Sequence, residues 1–330
     1  MFSPESIRTP NKHGRLVVPP SFEEGAFDSH ATDCPFVFRH EDKYMMTFVG
    51  WDGVGYRTGL AESDDLVTWR KLGMIIDRGP VGSVTEYNVA LTGLLRDNDL
   101  FGEGRLKQVG GRFVGTFHAY PGVGYEVGPA VIGLCYSTNL RNWEIGETVL
   151  RPDDGGAWEE GGLYKSWIME VDGLFYLFYN AKNRDEQPWF EQTGFATSKD
   201  LVCWERHPGN PVLPIGMPGE FDDIFASDPC VLFAEDTWVM FYYGYSSDRH
   251  ARDGYAISKD LKRWTKSGEL LIDVGAPGTF DDKYASKPAM IYGNGKLYHF
   301  YGAVTQFPKR RLGDIEHTEI RGITFATGGH

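Results

Sequence analysis

One eleven-residue pattern recurs through this 330-residue chain, and a recurring unit limits the fold before any single residue does. Gly219-Glu220-Phe221-Asp222-Asp223-Ile224-Phe225-Ala226-Ser227-Asp228-Pro229 returns as Gly278-Thr279-Phe280-Asp281-Asp282-Lys283-Tyr284-Ala285-Ser286-Lys287-Pro288. It is also present as Gly25-Ala26-Phe27-Asp28, running on to Thr32-Asp33-Cys34-Pro35, and more loosely as Gly156-Ala157-Trp158-Glu159-Glu160. A second marker, Ser-x-(Asp/Asn)-Leu-x-x-Trp, ends four units at Trp69, Trp143, Trp204 and Trp264, and a fifth unit opens the same way at Gly322-Ile323-Thr324. Between the markers lie apolar runs rich in Tyr and Phe, which favour strands, separated by Gly and acidic turns.

Each unit therefore reads as four short strands, and the expected fold is an all-β, five-bladed β-propeller with four-stranded antiparallel blades. The whole chain, 1–330, is expected to be one domain. Residues 1–20 form an N-terminal arm whose Leu16-Val17-Val18 run is placed to supply the strand that the fifth unit lacks. The Ser-x-Asp-Leu stretch is a turn whose Asp or Asn bonds local backbone.

Composition narrows the partners. A formal net charge of −13 disfavours nucleic acid, which needs a basic face. No run is long and apolar enough for a membrane span, and no signal peptide is visible at Met1-Phe2-Ser3-Pro4, so a cytoplasmic location is expected. Cys34, Cys135, Cys203 and Cys230 lack metal-site spacing, so no metal is expected. A calcium ion in a central channel is compatible with the architecture, but no spacing demands one.

Strand parity puts the first-strand openings and the loops between second and third strands on one face. Carboxylates, arginines and aromatics gather there, which suits a small carbohydrate substrate. Asp28, Glu159, Asp222 and Asp281 share one register and are read as serving the units themselves, by capping backbone at each strand entrance. Residues that break the symmetry are the better site candidates: Asp33, Asp228, Glu160 and Lys287. The opposite face is expected to carry tight turns such as Gly293-Asn294-Gly295-Lys296. Clustered carboxylates push one another's pKa values apart, giving one general acid and one base or nucleophile.

The five units, with Thr32-Asp33-Cys34-Pro35 and Ala226-Ser227-Asp228-Pro229-Cys230 opening two of them, resemble the five-bladed propeller glycoside hydrolases of families 43 and 32, with 62, 68, 117 and 130 related. The resemblance implies Asp33 as base or nucleophile. It implies a glutamate as general acid, with Glu160 first and Glu191 and Glu86 behind it, and Asp228 as the aspartate that tunes the acid and holds the sugar. Trp51, Arg57, His118, Trp167, Glu191, Glu86 and Lys287 complete the expected substrate-binding set, Trp51 and Trp167 being equally suited to the core. The Asn-Asp-Pro-Asn and Glu-Cys motifs of the invertase-like branch are absent, as is an Arg-Asp-Pro opening the second unit. Sucrose or fructan cleavage is therefore not supported, and an exo-acting hydrolase of short oligosaccharides or small glycosides is expected. One alternative is a phosphorylase that binds inorganic phosphate through Arg57, Lys182, Arg184 and Arg249. Another is a non-catalytic sugar-binding propeller.

Overall fold

The computed structural model describes residues 2–328, nearly all of them in strands and turns. No helix among them is long and apolar enough to cross a membrane. The strands fall into five antiparallel groups that follow the sequence units. Ala31–His40, Lys43–Trp51, Tyr56–Ser63 and Arg70–Ile76 form the first. Ala90–Leu94, Arg112–Ala119, Val131–Ser137 and Glu144–Leu150 form the second. Gly162–Val171, Leu174–Lys182, Glu191–Ser198 and Glu205–Arg206 form the third, and Phe225–Ala234, Thr237–Tyr245, Ala251–Ser258 and Thr265–Ile272 the fourth. In the fifth, Tyr284–Gly293 pairs with Lys296–Leu312, and that strand with Ile315–Thr327. First strands touch their neighbours in chain order, and that of the fifth group returns to that of the first.

The N-terminal arm lies along the fifth group. Asn11–Lys12 pairs antiparallel with Ala326 and Thr327, and the Val17 amide donates to the Ile323 carbonyl at 2.8 Å. The regular pairing thus sits earlier in the arm than Leu16–Val18.

The register-sharing carboxylates hold each group together from inside. Asp222 accepts the Tyr242 hydroxyl of its second strand at 2.9 Å and pairs with Lys266 of its outer strand at 2.5 Å. Glu159 does the same with Tyr179 and Arg206, and Asp281 with Tyr301 and Lys12. Asp28 pairs with Lys71, with Phe48 standing where the tyrosine would be. Lys71, Arg206, Lys266 and Lys12 each face an alanine of the neighbouring strand: Ala61, Ala196, Ala256 and Ala326. Side-chain ties across the sheet, more than backbone capping, are what these carboxylates supply.

The Ser-x-Asp-Leu turns repeat in atomic detail. Ser63 accepts the amides of Asp65 and Leu66, Asp65 accepts those of Val67 and Thr68, and the Trp69 indole donates to the Leu66 carbonyl. Leu66, Leu140, Leu201 and Leu261 all take left-handed backbone, with φ between 63° and 65°.

The face opposite the first-strand openings carries more than tight turns. Residues 96–106 of the second group cross it, bonding the far ends of the other groups' first strands. Arg96, wholly buried, donates to the carbonyls of Val37 at 2.6 Å and Met290 at 3.2 Å. The Asn98 side chain donates to the Glu170 carbonyl, and the Phe233 amide to the Asn98 carbonyl. The space between the first strands is therefore covered at this end.

Candidate active site

Four of the five first strands carry a bulge at the same place. Pairing slips between Asp33 and Phe36, Tyr164 and Ser166, Ser227 and Cys230, and Ser286 and Ala289. The residue at each slip, Cys34, Lys165, Asp228 or Lys287, has φ between 30° and 71°. Left-handed backbone is uncommon for residues other than glycine and costs roughly 1–3 kcal/mol. A bulge re-aims a side chain and often sits beside a functional site. All four residues line one cavity of about 570 Å³.

Asp33 sits one step before its bulge. Its Oδ1 accepts the Cys34 amide at 2.8 Å, and its Oδ2 takes Lys287 Nζ at 2.9 Å and Arg321 Nη1 at 3.1 Å. Burial would raise its pKa, but Lys287 and Arg321 outweigh burial and hold it at about 2. It is ionised.

Glu191 opens the third strand of its group. Trp189 Nε1 donates to its Oε1 at 3.0 Å, and Ser227 Oγ and the Tyr243 hydroxyl to its Oε2 at 2.9 and 3.2 Å. No cation pairs with it, and burial, with Glu126 and Asp228 adding like charge, lifts its pKa to about 7. Two carboxylates of one cavity thus sit on opposite sides of their ordinary range.

Asp228 is buried, and burial raises its pKa against the pull of Lys165 and Lys287. His118 is held neutral, burial and the two lysines taking its pKa to about 3. Its Nδ1 accepts the Lys165 amide at 3.2 Å, which leaves the proton on Nε2. Tyr56, Tyr120, Tyr164, Trp189, Tyr243 and Tyr284 supply aromatic wall. Lys165 and Lys287 stand among the carboxylates, so the donor set does not fit a calcium ion.

Of the residues picked out in the sequence, Asp33, Asp228, His118, Glu191 and Lys287 share this cavity. Glu160 does not. It is exposed one step past the buried Glu159, on a turn outside the lining. Glu86 lines a separate hollow and accepts the Gly82 amide at 2.8 Å. Arg57 is drawn away into ion pairs with Asp52 and Asp77. Trp51 stacks edge-on to Tyr56 and Tyr125 behind the wall. Trp167 lies in the core against Phe36, because the bulge at Lys165 shifts the alternation of its strand. Lys182, Arg184 and Arg249 are also outside the lining. Three lining residues escaped sequence reasoning. Tyr125 and Glu126 ride a glycine-rich loop, and Arg321 a hairpin longer than its counterparts. Gly122, Gly124 and Gly128 were the available signal for the loop.

The sequence profile described as glycosyl hydrolases family 32 N-terminal domain matches residues 108–278, more than half of the sequence. The protein belongs to this family. The matched stretch contains Glu191 and Asp228 but neither Asp33 nor Lys287. A solved structure described as "Glycoside hydrolase" is 31% identical, with 99% of this chain and 93% of that one covered and a TM-score of 0.81. Another, described as a complex of BT0996 and RGII, is 32% identical at the same coverage, with a TM-score of 0.83. Among curated proteins, a probable sucrose-6-phosphate hydrolase of Psychromonas ingrahamii is 28% identical over 144 residues, 42% of this chain and 25% of its own length. The likeness thus spans only part of that relative.

Proposed function

We propose that this family 32 domain is a glycoside hydrolase in which Glu191 is the general acid and Asp33 the ionised base or nucleophile. The observation that carries the reading is the separation of two carboxyl pKa values within one cavity, about 7 for Glu191 and about 2 for Asp33. Near neutrality and below, Glu191 has a proton to give to the departing oxygen, while Asp33 is the anion that attacks or activates water. Asp228 is the third carboxylate, holding the sugar. His118 Nε2–H and Lys287 are further donors for hydroxyl groups, and the tyrosines and Trp189 give flat surfaces for sugar rings.

The five strand groups are, on this reading, the blades of a single five-bladed propeller over 1–330, with the arm completing the fifth. The closed far face makes the cavity one-ended, which suits an exo-acting enzyme that trims the end of a short oligosaccharide or a small glycoside. The relative described as an RGII complex makes an RGII oligosaccharide the first substrate to test. Arabinofuranosides, xylosides and galactofuranosides come next. The deciding experiment is a screen of nitrophenyl glycosides and RGII oligosaccharides with wild type, Asp33→Asn and Glu191→Gln. Release of single sugars by wild type alone is expected. Undiminished turnover in both variants would sink the assignment.

A further inference from the structure

Asp228 Oδ2 has no hydrogen-bond partner although its side chain is 97% buried, being 3% exposed. The nearest cation, Lys165 Nζ, stands 3.9 Å away, beyond hydrogen-bond reach, and is itself buried. Both residues line the cavity, and both occupy bulge positions with left-handed backbone, Asp228 from the fourth group and Lys165 from the third. An unsatisfied buried carboxylate oxygen is costly, so a pair built this way is incomplete without a third atom.

The surroundings hold the gap open. The Asn180 amide, in the orientation that satisfies its neighbours, donates to Asp228 Oδ1 at 3.2 Å and to the carbonyls of Tyr164 and Lys165 at 2.9 and 2.8 Å. His118 takes the Lys165 amide. The bulge is thus pinned on both sides, and neither residue is free to swing to the other. Two hydrogen bonds of about 2.8 Å meeting across the 3.9 Å gap subtend about 88°. One hydroxyl oxygen can accept from the ammonium and donate to the carboxylate at that angle.

We propose that Lys165 and Asp228 together grip a single sugar hydroxyl, which makes Lys165 a specificity-determining residue. This rests on the reading of the cavity as a sugar site, but not on hydrolysis. A site that satisfies its own buried polar groups through a substrate hydroxyl rejects the analogue lacking it by about 10⁴–10⁵-fold. An apolar contact gives far less.

The test uses the nitrophenyl glycoside that wild type hydrolyses and the set of its monodeoxy forms. One deoxy position is expected to lose about 10⁴-fold in kcat/KM, the others about tenfold or less. In Lys165→Met the parent glycoside loses activity while that same deoxy form loses little more, so discrimination collapses. A wild type that rejects no deoxy position selectively overturns the proposal. So does a Lys165→Met protein in which every analogue drops equally. If Lys165→Met does not fold, Lys165→Gln carries the same comparison. Calorimetric binding of arabinose, xylose, galactose and their deoxy forms to Glu191→Gln supplies a readout without turnover. Discriminating binding by a protein that hydrolyses nothing would remove the hydrolase reading and leave the clamp standing. Turnover with no discrimination does the reverse.

Discussion

At the scale of the residue, the chemistry turns on what surrounds each carboxyl group. Glu191 meets an indole and two hydroxyls but no cation, so burial wins and its proton stays on to about 7. Replacing it by Gln is expected to lower kcat by about 10²–10⁴-fold on a glycoside with a poor leaving group. The loss should be much smaller on a dinitrophenyl glycoside, whose leaving group needs no proton; equal losses on both would argue against an acid role. The same pKa sets the alkaline side of the rate profile, with activity falling as pH rises through about 7. Glu126 adds to that value through like charge, second to burial as a raising influence. Glu126→Gln should therefore move the alkaline limb to lower pH, as kcat/KM against pH would show. Stability carries the opposite sign from activity. A carboxyl whose pKa rises from 4.5 to about 7 on folding makes the folded state lose ground as pH climbs between those values. At pH 8 the Gln variant, which has no charge to bury, should melt above wild type.

At the scale of the strand group, the repeated carboxylates and the unique ones do different work, and this explains what could be read in advance. Asp222, Tyr242 and Lys266 form one tie, repeated with changes in the third and fifth groups. Removing one partner of a buried ion pair strands the other, so Asp222→Ala should cost about 3–5 kcal/mol in denaturant unfolding. The kcat of the surviving folded fraction should be unchanged, because the tie lies outside the cavity. Repetition made these residues legible as structural, and departures from repetition pointed to Asp33, Asp228 and Lys287. Glu160 misled because it sits beside the repeated Glu159, and one step along a turn reverses a side chain's direction. Trp167 misled for a related reason. Strand alternation predicts one face, and the bulge at Lys165 delivers the other. Nothing in the sequence announces a left-handed lysine or aspartate. The prolines after Cys34, Asp228 and Lys287 were the sole hint, since proline restricts the residue before it. Arg321 was out of reach because its hairpin outruns the repeat that frames the rest.

At the scale of the whole molecule, Asp33 joins the two ends of the chain as well as serving the site. It belongs to the first group, while Lys287 and Arg321 come from the first and third strands of the last. The cations nearest Asp33 are thus already engaged, and the four proposed for phosphate are absent from the lining. Inorganic phosphate is accordingly expected to leave the rate of glycoside breakdown unchanged, and a phosphate-dependent rate with a sugar phosphate as product would reverse this. The clasp also ties function to stability. Asp33→Asn should abolish turnover and leave two buried cations without their anion, a loss of about 3–5 kcal/mol. Adding Lys287→Met removes one of the stranded charges, so the double variant should regain much of the stability and none of the activity. The pH dependence separates this from simple loss of packing. Because the Asp33 pKa falls from 3.8 to about 2 on folding, its contribution is complete above 3.8 and drains away as pH drops through about 2. Wild type should therefore lose stability relative to Asp33→Asn across that window, read by denaturant unfolding at successive pH values. A constant difference between the two proteins from pH 5 to pH 2 would mean that the first and last groups are held together by something other than this carboxylate.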